Sequence, residues 1–336
     1  MRKCAIWIFA LIAPVMVSFA REGHIKVTGL KCEMLVNPLG IDKQVPGLSW
    51  QLESGERGVM QPGLDIIVTS SREKLDAGEG DLWRGTNIGS DRSVYVPYDG
   101  EKLKTGMECH WKVRVHTTKG SSGWSEPALW TMGLLSETDW KCRWLGLEKS
   151  FPGDVLSGDT RLSARYFRHE FGLEGKPVAK ATMYVSGLGL YEVYINGRKI
   201  GDQVLAPALT DYDREVKYNT FDVTDKLARG GGNAVGIVLG NGRYFSPRTH
   251  MRSGWRRTYG SPKFIMRMEV TYSDGETTVI HSNNAYEWKA TAKGPIRSNN
   301  EYDRDEYDAR MEVEGWSSPG FEAGGWVPGD CSDAHC

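Results

Sequence analysis

Ala181-Thr-Met-Tyr-Val-Ser-Gly-Leu-Gly-Leu-Tyr-Glu-Val-Tyr-Ile-Asn-Gly197 decides the fold of the larger part of the chain. Ala181 to Val185 and Leu190 to Ile195 are strand-like runs, and Ser186-Gly-Leu-Gly189 between them is a turn signal. Asn196-Gly197 follows at once and is a strong two-residue hairpin signal. Working outward, Tyr166 to Phe171 alternates like a strand with one wet face. Thr220 to Thr224, Ala234 to Leu239, Phe264 to Val270 and Thr277 to Ile280 continue the pattern, with Ser273-Asp-Gly275 as the turn before the last. The only helix-like piece is short, around Asp225 to Ala228. The spacing predicts an antiparallel β-sandwich of jelly-roll type.

The upstream text is also all-β, in a different rhythm. From about Gly29 to Leu135, short runs such as Leu48-Ser-Trp50, Asp65 to Thr69, Ser93 to Val96 and Cys109 to Val115 alternate with turn signals. In the last run Trp111, Val113 and Val115 share one face while Lys112, Arg114 and His116 share the other. About seven such runs are the footprint of an immunoglobulin or fibronectin-III-like sandwich. Trp50 is the expected core anchor, and Trp124-Ser-Glu-Pro127 the approach to the closing strand. Asp65, Asp81, Asp91 and Asp99 read as solvated turn carboxylates, since Asp is favoured in turns by its own backbone hydrogen bonds.

Composition bounds the function. The 336 residues hold 42 Lys+Arg against 43 Asp+Glu, a formal net charge of −1, which excludes a general polyanion binder such as a nucleic-acid protein. Charged residues at 25% and hydrophobic ones at 40% are ordinary globular composition and exclude disorder as the main state. Arg2-Lys3, an apolar run from Ala5 to Val17, and Ser18-Phe-Ala20 lay out a secretory signal peptide over 1–20. The run is too short to span a bilayer, so no membrane insertion is expected after cleavage, and a secreted or periplasmic protein is. Cys32, Cys109, Cys142, Cys331 and Cys336 form neither a disulfide framework nor a zinc spacing; they read as small core residues plus a terminal pair.

Tyr184 to Gly197, Gly201-Asp-Gln-Val-Leu-Ala-Pro207, Thr210-Asp-Tyr212, Asp222-Val-Thr-Asp225 and Leu239-Gly-Asn-Gly-Arg-Tyr244 resemble, in order, the N-terminal module of bacterial α-L-rhamnosidases. Gly294-Pro-Ile-Arg-Ser298, Tyr302 through Arg310 and Gly315-Trp316 continue the resemblance, and the upstream sandwich resembles the module that precedes this one in the family. After the signal peptide at 1–20, the resemblance implies a fibronectin-III-like domain at 21–136 and the jelly-roll domain at 137–328, followed by a tail at 329–336 that is atypical of the family. It implies inverting glycoside hydrolysis of terminal α-L-rhamnosyl residues by a later (α/α)6 barrel. No run here has the helical periodicity such a barrel needs. The catalytic acid and base are therefore expected elsewhere, on a downstream domain that would be this chain's partner, and a truncated or frame-shifted product is the natural expectation. The alternative is a stand-alone secreted protein that binds carbohydrate.

Candidate site residues follow from the same text. Some relatives bind L-rhamnose through calcium, an ion that takes six to eight oxygen ligands. The oxygen donors here would come from Asn196, Asp202, Asp211, Asp213 and Asn241. The family's Gly-Trp after the Ala-Pro pair is replaced by Ala208-Leu209, so an aromatic sugar platform falls to Tyr244, Trp255 or Tyr259. The carboxylates Glu301, Asp303, Asp305, Glu306 and Asp308 lie in a loop and strand flank, which favours a substrate-edge or interdomain role over catalysis. The basic, aromatic stretch from Arg243 to Arg257 reads as an interdomain surface rather than a nucleic-acid site. Rhamnose-containing glycans are the expected ligands.

Overall fold

The structure, a computed structural model, describes residues 25–152, 154, 162–246, 258–302 and 304–332. The signal segment read at 1–20 lies outside the described residues. Regular structure is almost wholly antiparallel β, and the chain divides into two compact units. The described part of the first holds 25–37, 45–101 and 109–129; the second holds 38–44, 102–108 and 130–332. Two short segments, 38–44 and 102–108, thus group with the second unit although the sequence around them belongs to the first.

The strands of the first unit are β1 (Lys26–Cys32), β2 (Gly47–Glu53), β3 (Gly63–Thr69), β4 (Trp83–Gly89), β5 (Val96–Pro97), β6 (Glu108–Thr117), β7 (Gly120–Ser121) and β8 (Ala128–Thr131), except that Glu108 at the start of β6 and Trp130 and Thr131 at the end of β8 belong to the second unit. One sheet has the order β1-β2-β5, the other β4-β3-β6-β7 with β8 also on β6. Leu48, Trp50, Leu64, Ile66, Trp111 and Val113 are buried, as the alternation required. Each such apolar side chain contributes roughly 2 kcal/mol of burial. The Trp50 indole also donates to Gln61 at 3.1 Å, so the anchor carries no orphaned donor. A short helix, α1 (Arg72–Ala77), was not expected; Ser71 caps its start and Gly78, at φ 71°, its end. Trp124 precedes β8 as read, but half-exposed, beneath Arg114 at 4.9 Å and Lys112 at 5.5 Å.

Asp65 corrects the reading of solvated turn carboxylates. It sits within β3, buried, and accepts from Arg114 at 2.6 Å, His116 at 3.0 Å and the Asn87 amide at 2.6 Å. Burial alone would raise its pKa, but the Asn87 amide, His116 and Arg114 together hold it at about 2.

The second unit adds β9 (Trp144–Gly146), β10 (Arg165–Gly172), β11 (Val178–Leu188), β12 (Leu190–Ile195), β13 (Arg198–Lys199), β14 (Tyr218–Asp222), β15 (Gly232–Gly240), β16 (Lys263–Tyr272), β17 (Thr277–His281), β18 (Lys289–Thr291), β19 (Ile296–Ser298), β20 (Glu306–Tyr307), β21 (Val327–Pro328) and β22 (Asp330–Ser332). One six-stranded sheet runs β13-β12-β15-β10-β18-β21; the other runs β14-β11-β16-β9-β22, with β17 on β16. Ala181, Met183 and Val185 of β11 and Phe264, Met266 and Met268 of β16 meet Val193, Ile195, Val235, Ile237 and Phe167 in one cluster. Asn196-Gly197 makes the expected hairpin between β12 and β13. The turn read at 186–189 is tighter: β11 runs through Leu188 and only Gly189 separates it from β12. Gly189 has φ +122°, and a Cβ there would meet the Gly240 carbonyl at 2.3 Å. Asp225 to Ala228 shrinks to one 3₁₀ turn over Thr224–Lys226. Within the segment read as an atypical tail, β22 pairs with β9, Cys331 lying opposite Leu145.

The charged centre of this unit is a buried ion pair. Arg165, opening β10, is 2% exposed and meets Asp154 at 2.9 Å. Its remaining donors reach the carbonyls of Leu147 and Ser163, and Asp154 also accepts the Phe151 and Ser163 amides. Burial pushes the Asp154 carboxyl up, but Arg165 and the Ser163 amide hold it below the usual range.

Two outcomes follow. Asp154→Ala leaves Arg165 buried without its counter-charge and should cost about 3–5 kcal/mol, read as a lower urea midpoint; an unchanged midpoint would refute the assignment. Asp65 is depressed on folding from 3.8 to about 2, so its stabilisation of about 2 kcal/mol is complete above roughly pH 4 and lost as pH falls towards 2. Asp65→Asn should flatten that acid limb of the stability curve.

Candidate carbohydrate-binding and interdomain site

The candidates read from sequence do not form one site. Asn196 sits in the β12–β13 turn at φ 51° and points into the sheet. Its oxygen accepts the Ala234 amide at 2.9 Å, and its amide donates to the Lys226 carbonyl at 3.0 Å and to Asn233 at 2.8 Å. Asp202 is exposed in the bend after β13. Asp211 closes a local turn, accepting the Asp213 amide at 3.3 Å and lying 3.4 Å from Arg214. Asn196 is spent on the hairpin and Asp211 on its turn, so this set does not build the oxygen cage that calcium requires. Among the described residues no three His, Cys, Asp or Glu side chains lie close enough to hold a metal.

What the fold does gather lies beyond the end of β15. Asn241 is buried there; its amide nitrogen donates to the Leu162 carbonyl at 2.6 Å and its backbone N–H to Asn299 at 2.9 Å. Three residues on, Tyr244 stacks against Tyr259 with centroids 5.8 Å apart, and Tyr212 meets each of them edge-on at 5.2 Å. Trp144, Leu188 and Ile265 back this cluster from the sheet. Arg243 pairs with Glu301 at 3.0 Å and lies 5.2 Å over the Tyr302 ring. Burial, with Tyr259 and Glu301 nearby, raises the Tyr212 phenol, which stays neutral at physiological pH. The cluster thus offers aromatic edges, neutral hydroxyls and one compensated ion pair, a surface suited to sugar hydroxyls or to another protein surface.

Of the predicted residues, Tyr244, Tyr259, Asn241 and Glu301 fall in this region. Trp255 and Asp303 lie outside the described residues. Asp305 is exposed, Glu306 lies in β20, and Asp308 caps the turn at Ala309–Met311 while bound to Arg310 at 2.7 Å. Sequence reasoning missed Tyr212 as a member. Its motif, Thr210-Asp-Tyr212, was visible, but nothing in it tells that the ring folds back onto Tyr244.

Two family models match the chain: a Rha78A-like N-terminal immunoglobulin domain over residues 27–136, and an alpha-L-rhamnosidase N-terminal domain over 176–335. An alpha-L-rhamnosidase of Formosa agariphila is 35% identical over 86% of this chain and 32% of its own length. One from Alteromonas sp. is 33% identical over 90% and 32%. The structure of an alpha-L-rhamnosidase from Dictyoglumus thermophilum aligns with TM-score 0.81 and 35% identity over 92% of this chain and 34% of that one. A structure from Aspergillus terreus aligns with TM-score 0.79, 30% identity, and 93% and 34% coverage. The chain spans about a third of the length of these relatives. The two family models and these relatives agree: the chain matches the N-terminal, non-catalytic domains of α-L-rhamnosidases.

Proposed function

We propose that this chain is the accessory, substrate-side part of an exported glycoside hydrolase that removes terminal α-L-rhamnosyl residues from glycans by inversion. The observation that carries the reading is how the match is distributed, with 92% of this chain falling on 34% of the Dictyoglumus thermophilum enzyme. Bond cleavage then belongs to the rest of the enzyme, with acid and base carboxylates about 6.5–9.5 Å apart around sugar and water. The carboxylates at hand support that division. Glu301 and Asp211 are each held by an arginine. Asp308, beside Arg310, is held at about 2, far from the range a general acid needs at neutral pH.

In the same reading the tyrosine cluster and the loop leading into it receive the rest of the enzyme or the glycan. That loop presents Val204 at 79%, Leu205 at 75% and Leu209 at 59% exposure, an apolar lip that water alone does not favour. The 1–20 segment directs export.

Two measurements test this. The purified chain should not hydrolyse p-nitrophenyl α-L-rhamnoside above a heat-denatured control, and activity that survives purification to homogeneity would overturn the accessory role. N-terminal sequencing of the exported protein should begin at Arg21; a retained Met1 would remove the export arm.

A further inference from the structure

The outer face of the second sheet carries a cavity of about 210 Å³ within the second unit. Its floor is the outward row of two paired strands, Lys180, Thr182 and Tyr184 of β11 against Thr271, Glu269 and Arg267 of β16. Thr105, Gly106, Leu134, Asp139 and Lys141 complete its walls.

Two features of this cavity point to the chemistry of its ligand. The first is an unspent hydrogen-bonding set. Tyr184 is 4% exposed, yet its phenol has no hydrogen-bond partner among the described residues. The half-buried Thr182 and Thr271 hydroxyls and the exposed Lys141 ammonium also make no side-chain hydrogen bond among the described residues. The Tyr184 ring is buried while its hydroxyl opens onto the cavity, where a ligand hydroxyl can take the place of water. Burial, with Glu269 nearby, pushes the Tyr184 phenol up to about 12, so it remains a donor at neutral pH. The second feature is charge balance. Lys180 is met by Glu108 at 2.7 Å and Arg267 by Glu269 at 2.9 Å, while Asp139 caps the Glu137–Trp140 turn and faces the same space as Lys141. Cations and carboxylates alternate, so the lining favours neither an anion nor a cation, but a neutral molecule rich in hydroxyls. The volume is below the roughly 300–1,000 Å³ of drug-sized sites, which limits the ligand to about one ring.

We propose that this cavity binds a single neutral sugar ring, at a site separate from the tyrosine cluster. The hydroxyls of Tyr184, Thr182 and Thr271 and the Lys141 ammonium make the hydrogen bonds, and Glu269 and Asp139 accept from the ring. The proposal stands on the cavity itself and does not depend on the accessory role argued above.

The whole chain is titrated with L-rhamnose, L-fucose, D-glucose, D-galactose and D-glucuronate in excess EDTA. Binding is followed by NMR shifts up to about 50 mM, a ceiling set by the millimolar affinity that a few hydrogen bonds support. At least one neutral sugar should bind, and Tyr184→Phe with Thr182→Val should weaken it about tenfold or more. Lys141→Ala, at an exposed position that cannot unfold the sheet, should weaken it several-fold, whereas Tyr244→Ala should leave it unchanged. No shift with any neutral sugar, binding of glucuronate alone, or neutral-sugar binding lost in Tyr244→Ala but intact in Lys141→Ala would each overturn the proposal.

Discussion

The second unit depends on one constraint: strands facing each other across the sandwich must bury every second side chain in the same dry layer. β11 and β16 spend Met183, Val185, Phe264, Met266 and Met268 on that layer, and β10, β12 and β15 answer with Phe167, Val193, Val235 and Ile237. A slip of one residue in any of them would turn the apolar set outward, so the register is strongly specified. The alternate positions face away from that layer. On β11 and β16 they become the polar row Lys180, Thr182, Tyr184, Arg267 and Glu269, and the strand-end loops are free to carry the tyrosines.

Long loops without regular structure need another anchor, and arginines supply it. Arg168, 5% exposed on β10, donates to the carbonyls of Trp316 and Ser318 at 2.8 and 2.9 Å. Arg297 holds the carbonyls of Ala292, Gly294 and Pro152, and Arg165 those of Leu147 and Ser163. A planar guanidinium with five donors can satisfy several loop carbonyls that no strand reaches. The indole of Trp316 settles against Tyr166 and Tyr194 at 5.3 and 5.5 Å. Gly236 of β15 makes this approach possible, because a Cβ there would lie 2.6 Å from the indole.

The strands were legible because period-two alternation and the turn residues Asn196-Gly197 and Asp274-Gly275 act locally. Trp50 was legible because a tryptophan within an apolar run has few other places to go. Asp65 was not, since its burial is decided by Arg114 and His116 on a strand about fifty residues away. The same holds for the buried pair of Arg165 and Asp154, two charges that local sequence assigns to the surface. The site suffered most. Asn196 looked like a ligand because its amide is versatile, yet the hairpin that its own Asn-Gly pair creates consumes that amide. Tyr212 and Tyr244 meet only once the chain between them has folded back, which no spacing rule encodes.

The borders of the first sheet of the second unit have a consequence for solubility. Its outermost members, β13 and β21, are only two residues long; one consists of Arg198 and Lys199, and the other ends in Pro328. Charge, brevity and a missing amide hydrogen each discourage a foreign strand from extending the ladder. Crowded copies of the protein therefore find little template along this rim for intermolecular β-pairing.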